Sequence, residues 1–324
     1  LFPGFKSNDA KGSEQSGPFF VTLPMRILIA GGSGLLGKAI TQELKDKGHE
    51  VAWLTRNTSR PAKVSQFEWN PATRTCSAQA IGWAEGIINL AGESIGEIPW
   101  TEEGRKKILQ SRIDAVETLR LACKSAPHAL KSFIGVSGAG YYGSGDTPMA
   151  ETALPGQDFP AKVAKAWEDA YQRFSEEIPC RHFVVLRLAV VLAKDGGAFP
   201  KIRLPFSFGI GSALGSGDQY LNWIHLTDAA RIFVAALDWD GVYNVSAPEP
   251  VQNKELSDFI RTAIGQFLRL PAVPAFMLRL ALGDRSKLVL EGNRSNVSKL
   301  LSTGYVFRFP GWKEALQDVL KSTT

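Results

Sequence analysis

No apolar run in this sequence approaches the roughly 20 residues that a bilayer-spanning helix needs, so the chain reads as soluble, with no membrane segment. Cysteine is scarce: 3 in 324 residues, at positions 76, 123 and 180. An odd number without metal-ligand spacing excludes a disulfide framework, offers no metal site, and suggests a reducing, cytoplasmic compartment. Charge of one sign is also scarce. Lys and Arg exceed Asp and Glu by 5 and do not gather into runs, so a nucleic-acid surface has no footprint. With 44% hydrophobic residues the chain can fill a core, which a disordered composition could not. The length exceeds the roughly 100–200 residues of an average domain, leaving one large α/β unit or two lobes open.

Residues 1–24 are rich in Gly, Ser and Pro and carry neither a helical nor a strand period. They lack the basic start and continuous apolar stretch of a secretory signal, and read as a leader, a linker or an expression remnant. The strongest strand pattern begins just after Met25. Arg26-Ile27-Leu28-Ile29-Ala30 runs straight into Gly31-Gly32-Ser33-Gly34-Leu35-Leu36-Gly37. A helix with Ile40 and Leu44 on one face follows and stops at Gly48, and Val51–Thr55 makes the next strand. Strand, glycine turn, helix, strand is the context in which glycines let a backbone approach a pyrophosphate at a helix N-terminus. The spacing Gly31-x-x-Gly34-x-x-Gly37 differs from that of most dehydrogenases. A plain tight turn is the alternative.

What the second strand lacks is also informative. NAD-binding folds place Asp or Glu about 20 residues after the turn to hold the ribose hydroxyls. At that distance this chain has Thr55 and Arg56 and no acid. A guanidinium can hold a 2′-phosphate that a carboxylate would repel, which favours NADP(H); otherwise Arg56 is an ordinary solvated strand-end residue. Further strands at 86–92, 131–137 and 182–188 alternate with helices near 101–125 and 159–176. That alternation implies a doubly wound parallel α/β sheet of the Rossmann kind.

These residues resemble the extended short-chain dehydrogenase/reductase superfamily, the group that contains nucleotide-sugar epimerases, on the strings GGSGLLG at 31–37, NLAG at 89–92, SGAGYYG at 137–143 and WIHLTD at 223–228. NLAGESI, WTEEGRKKILQSRI and LGSGDQYLNWIHLTDAA narrow the likeness to SDR39U1-type epimerase family proteins. The tail beginning AVPAFMLRLALGD is similar to that group's C-terminal domain of unknown function, over about 270–320. The resemblance implies an NADP-binding Rossmann domain over 25–190. Residues 191–324 would mainly form a smaller substrate lobe, with the WIHLTD segment returning to the Rossmann part. It implies that Gly31, Gly34, Leu35, Leu36 and Gly37 meet the pyrophosphate and that Thr55 and Arg56 meet the adenosine phosphate. Leu90, Ala91 and Gly92 would line the cofactor's path. Arg112 falls where this subgroup has a cofactor-contacting arginine; a polar-face helix residue is the other reading. The subgroup often has Arg before a Trp, whereas here Pro99 precedes Trp100, so that contact is not carried over.

The superfamily's catalytic residues are Ser, Tyr and Lys, a tuned phenol acting as acid and base. Ungapped alignment places Gly138 at the Ser position with Ser137 beside it, Phe159 for Tyr and Val163 for Lys. No Tyr-x-x-x-Lys occurs there. Candidates for the missing chemistry are Tyr141 and Ser137, with Tyr142, Lys162, His225 and Asp228 read first as structural. Residues 196–222, with Phe199, Phe206, Phe208, Gly215, Gly217 and Gln219, read as a loop able to cover a ligand, and Arg203 could meet an anionic substrate. Two functions remain: an NADP(H)-dependent oxidoreductase or epimerase-like enzyme on a small carbonyl or hydroxyl substrate, or an NADPH-binding sensor or scaffold without turnover. The superfamily's habit of dimerising through helices on one sheet face makes the 101–125 helix a candidate homodimer surface.

Overall fold

Four buried residues follow Arg26 in the first strand, as an apolar run covered on both faces requires. The computed structural model describes residues 23–59, 61–125, 129–266 and 268–321. The leader, linker or expression remnant expected over 1–24 therefore lies outside the described residues except at its last two positions. The first half of the chain runs β1 (Arg26–Ala30), α1 (Leu35–Asp46), β2 (Glu50–Thr55), β3 (Ser65–Asn70), β4 (Thr75–Cys76), α2 (Ala78–Trp83) and β5 (Gly86–Asn89). It continues through α3 (Glu102–Lys124), β6 (Leu130–Gly138), α4 (Phe159–Glu177) and β7 (Cys180–Leu188). The second half contributes β8 (Val190–Ala193), α5 (Phe199–Ser207), β9 (Trp223–His225), α6 (Leu226–Ala235), β10 (Gly241–Val245), α7 (Asn253–Ala263), α8 (Ala275–Leu282) and α9 (Trp312–Lys321).

The main sheet has the order β10-β7-β6-β5-β1-β2-β3-β4, parallel except for β4. Strand order reverses between β1 and β5, the topological switch where open α/β sheets bind ligands at their carboxyl ends. Helix α1 packs with α6 on one face, and α3 with α4 on the other. Phe133 of β6 fixes the second face, stacking with Phe183 and lying 4.2 Å from Phe174 of α4 between ring centroids. Local signals start these helices. Thr101 caps α3 by accepting from the Gly104 N–H, with Glu102 and Glu103 in its first turn, and Asp158 caps α4 through the Ala161 N–H.

A second core collects Leu192, Phe199, Trp223, Leu256, Ile260 and Leu316 from the later elements. The segment expected as a loop over 196–222 is corrected in part. Phe199–Ser207 is a helix with Phe199 and Phe206 buried, because the apolar side chains have a core to enter. Gln219 is occupied too, donating to the Leu214 and Val289 carbonyls.

The two cores are joined at WIHLTD. His225 caps α6, its Nδ1 accepting from the Thr227 N–H. Asp228, fully buried, accepts from the Tyr305 hydroxyl and from the backbone N–H groups of Arg308 and Phe309 at 2.8–2.9 Å. A charged carboxylate is tolerated inside because backbone and phenol donors replace its water. Replacing Asp228 with Ala leaves those donors unsatisfied and should cost about 3 kcal/mol or more; urea unfolding of Asp228→Ala against wild type measures it.

Burial lowers the pKa of His225 and of His49, against weaker raising pulls from Asp318 and Asp238 respectively. The folded chain binds these two protons at lower pH than the unfolded chain, whose imidazoles titrate near ~6.5. Their stabilising contribution is thus whole above that value and is lost as pH falls below it. Unfolding free energy should decline from about pH 7 to about pH 5.5. A variant with both residues changed to Asn, whose Oδ1 can replace the accepting Nδ1, should show a flatter profile over the same range.

Candidate functional site

The crevice at the switch point is built from backbone. Gly31 ends β1 with φ +84°, and a Cβ there would stand 3.2 Å from the Leu90 carbonyl carbon, so the turn and the β5 exit lie in contact. At Gly37 a Cβ would meet the Gly31 oxygen at 2.5 Å and the Gly32 Cα at 2.6 Å. Only glycine lets α1 begin this close to the turn it leaves. Gly34 caps α1, its N–H bonded to the Gly31 carbonyl at 3.1 Å. It brings no side-chain cap, and the first turn holds no acid. The N-terminal amides of α1 are therefore left for an anion, with Ser33 and Gly34 exposed beside them. Leu35 and Leu36 are half-buried; Leu35 packs against Gly196, and Leu36 against the main core.

Across the crevice β5 ends at Asn89, three residues short of the strand read from sequence, because its side chain bends the exit. Asn89 Oδ1 accepts from the Ala91 N–H at 3.2 Å, and Nδ2 donates to the Tyr171 hydroxyl at 3.1 Å. The Leu90 N–H donates to the Ala30 carbonyl, holding Leu90, Ala91 and Gly92 beside the glycine turn. Arg112 lies against Gly92. Its Nη1 donates to the carbonyls of Glu93 and Ile108, and its guanidinium sits 4.8 Å from the Trp167 ring. Burial pushes its pKa down to about 10, against raising pulls from Tyr171 and Glu93. No carboxylate pairs with it among the described residues. A solvated polar-face residue it is not.

At the end of β2, Thr55 Oγ1 accepts from the Asn57 N–H, and Asn57 Oδ1 from the Ser59 N–H, an ordered turn that presents Arg56. Arg56 is exposed and makes no hydrogen bond or ion pair among the described residues. Sequence-predicted cofactor residues from three segments thus converge on the carboxyl ends of β1, β2 and β5.

The proposed catalytic residues are placed differently. Ser137, near the end of β6, is 3% exposed, and its Oγ has no hydrogen-bond partner. Its register neighbour is Arg187 of β7. Arg187 makes two bonds of 2.7–2.9 Å to the Glu168 carboxylate and a third to the Tyr142 oxygen. Burial disfavours that charge, but Glu168 outweighs it and holds the guanidinium above its ordinary pKa. Tyr141 lies beneath this cation, ring centre 3.5 Å from the guanidinium carbon, and is buried. Its ring packs under Arg187 in a cluster with Tyr142 and Ala164. Tyr142 donates to Asn244 Oδ1 at 2.6 Å, and Lys162 is exposed. Phe159 and Val163 enter an apolar cluster with Trp100 and Ile108, Phe159 meeting Trp100 edge-on at 5.0 Å. Asn89, Glu168, Arg187 and Asn244 were missed. Polar residues inside apolar strand runs, as in Ile-Ile-Asn-Leu and Val-Leu-Arg-Leu, were the available signal.

Two cavities lie elsewhere, in the later half of the chain. One of about 380 Å³ is lined by Phe206, Ser257 and Arg261 among others, and one of about 800 Å³ by Arg203, Gln317 and Lys321 among others. Neither is lined by a residue of the glycine turn.

A model of the NAD dependent epimerase/dehydratase family matches residues 27–246, and a domain of unknown function, DUF1731, matches 273–319. The chain is 34% identical over 304 residues to epimerase family protein SDR39U1 of Mus musculus, covering 91% of this chain and all of that one. It is 33% identical over 304 residues to epimerase family protein YfhF of Bacillus subtilis, with 91% and 98% covered. Among solved structures, human epimerase family protein SDR39U1 (isoform 2) with NADPH superposes with a TM-score of 0.80 at 32% identity, covering 92% of this chain and 99% of that one.

The Arg187–Glu168 pair makes a direct prediction. Glu168→Gln strands a guanidinium whose side chain is 4% exposed and should destabilise the fold by about 3–5 kcal/mol. The double change Arg187→Met with Glu168→Leu should cost much less. Urea unfolding of the two variants compares them.

Proposed function

The chain belongs to the NAD dependent epimerase/dehydratase family, and we propose that it is an NADP(H)-dependent oxidoreductase or epimerase-like enzyme acting on a small carbonyl or hydroxyl compound. The observation that carries this reading is the uncapped, acid-free N-terminus of α1 beside Gly31, Gly34 and Gly37 at the strand-order switch. In this reading the α1 amides hold the pyrophosphate, while Thr55 and Arg56 take the adenosine 2′-phosphate. Leu90, Ala91 and Gly92 line the path between them. Arg112 fixes the Gly92 turn from behind through its bonds to the Glu93 and Ile108 carbonyls. The relative that was solved with NADPH supports the choice of dinucleotide. Residues 25–190 form the cofactor domain, and 191–324 mainly the substrate lobe. Within the second, α6 and β10 return to the first.

Bound NADPH supplies a hydride. Ser137, buried with an unspent hydroxyl at the carboxyl end of β6, is the group we assign to the substrate oxygen. Tyr141 is assigned to packing under Arg187 rather than to proton transfer. A second reading, cofactor binding without turnover, draws on the apolar cluster around Phe159 and Val163, which leaves no titratable group at those two positions.

Calorimetric titration of wild type and Arg56→Ala with NADPH and with NADH tests the cofactor assignment. NADPH should bind more tightly, and Arg56→Ala should weaken NADPH by about 10–100-fold, the worth of a charge-assisted phosphate contact, while leaving NADH nearly unchanged. Binding of neither nucleotide contradicts both readings. Turnover on a carbonyl panel then separates them: activity lost in Ser137→Ala but kept in Tyr141→Phe supports the enzyme as assigned.

A further inference from the structure

Helix α7 has two different faces. Leu256 and Ile260 are buried in the second core, whereas Lys254, Ser257, Asp258 and Arg261, spaced three and four apart, line the cavity of about 380 Å³. The far wall of that cavity is the chain at 211–213 and 269–272. Protein contacts alone fix this wall. Ser212 Oγ donates to the Pro271 carbonyl at 2.7 Å, Gln266 Nε2 to the Gly211 carbonyl, and the Val273 N–H to the Ala213 carbonyl. Asn253 Oδ1 accepts from the Leu214 N–H and ties the wall to the start of α7.

Inside this frame, donors are left over. Arg261 carries five N–H groups and makes one hydrogen bond among the described residues, a 3.4 Å contact from Nη1 to the Gln266 carbonyl. Asp258 does not take up the rest. Its Oδ2 lies 2.7 Å from Arg269, while its Oδ1 stands 3.6 Å from Arg261 Nε, which has no hydrogen-bond partner among the described residues. Ser257, one turn earlier on the same face, is buried, and its hydroxyl makes no hydrogen bond among the described residues. Arg187, by contrast, spends its guanidinium on Glu168 and Tyr142 at 2.7–2.9 Å.

Charge and size decide what would complete these donors. The lining holds Lys254, Arg261 and Arg269 against Asp258. Lys254 is paired from outside the lining by Asp218 at 2.8 Å, so three cations face two acids and one positive charge is left over. A cation is repelled there and an anion attracted. A guanidinium and a hydroxyl on successive turns suit the oxygens of a single carboxylate or phosphate group. The volume is near the lower end of the roughly 300–1,000 Å³ of ligand pockets and admits a small molecule. Phe206 and Leu270 supply an apolar surface for its body.

We propose that the cavity beside α7 is a second binding site, separate from the cofactor crevice, for a small organic anion. Arg261 and Ser257 hold its carboxylate or phosphate, and its apolar part lies against Phe206 and Leu270. The cavity is lined by no residue of the glycine turn, of the β2 end or of the β5 exit, so the inference does not depend on the cofactor assignment.

Calorimetric titration of the full chain with benzoate and with phenyl phosphate tests it, on wild type, Arg261→Gln, Ser257→Ala and Asp258→Asn. Wild type should bind at least one probe at a single site, and the tighter probe identifies the charged group as carboxylate or phosphate. Arg261→Gln should weaken that probe by about tenfold or more, and Ser257→Ala by about fivefold, the worth of a charge-assisted and of an ordinary hydrogen bond. Asp258→Asn should tighten it, because the lining then holds no carboxylate, and misfolding does not produce a gain. Saturating NADPH should leave the affinity unchanged. Saturable binding of neither probe overturns the proposal. Affinity that Arg261→Gln leaves unchanged, or that Asp258→Asn fails to raise, overturns it as well. A probe that NADPH displaces belongs to the nucleotide's own site and also overturns it.

Discussion

A Cβ on residue 37 would stand 2.5 Å from the Gly31 carbonyl oxygen, and that crowding sets how α1 leaves β1 and where its N-terminus points. The same turn lies against the Leu90 backbone at the exit of β5. The first amides of α1, the end of β2 and the end of β5 are thereby brought around one crevice. No side chain caps the helix, so its partial positive charge is unspent. The cofactor proposal and the reading of Arg56 depend on this backbone arrangement, and the family assignment agrees with it.

Around the crevice the chain invests in buried polar groups whose partners come from distant positions. Asn89 shapes the β5 exit through Ala91 and Tyr171. Arg187 joins Glu168, Tyr142 and the Glu151 carbonyl, which knits α4, β7 and the turn at Ala139–Tyr142 into one unit. Asp228 clasps the 305–309 segment onto α6. Each group is tolerated inside only because its partners are complete, so these networks select a unique arrangement as well as stabilise it.

The parallel sheet was legible because its strands are buried on both faces and read as apolar runs between helices with clear caps. Arg26–Ala30, the glycine turn and the 101–125 helix are found within a residue or two of where the pattern put them. The places of Gly31, Gly34 and Gly37 at the turn into α1, and of Arg56 just after β2, were legible for a similar reason: they are local, set by a turn and by a strand end. Phe199–Ser207 was not, since its glycine- and proline-rich neighbours mask a helix that is stabilised by a distant core. Tyr141 could not be placed either. Nothing in SGAGYYG reveals that an arginine of a later strand will lie 3.5 Å over its ring. The exposure of α8 is likewise invisible in sequence, because it depends on which neighbouring elements leave it uncovered.

The crevice and the two cavities in the later half make competing claims on a nucleotide, and hydrogen exchange with and without saturating NADPH separates them most directly. The account predicts slowed exchange in the peptides spanning 31–38, 55–58 and 90–93, where the α1 amides, the β2 end and the β5 exit meet. Protection confined to 203–214 and 254–271, around the cavities, with the glycine turn unchanged, would contradict it.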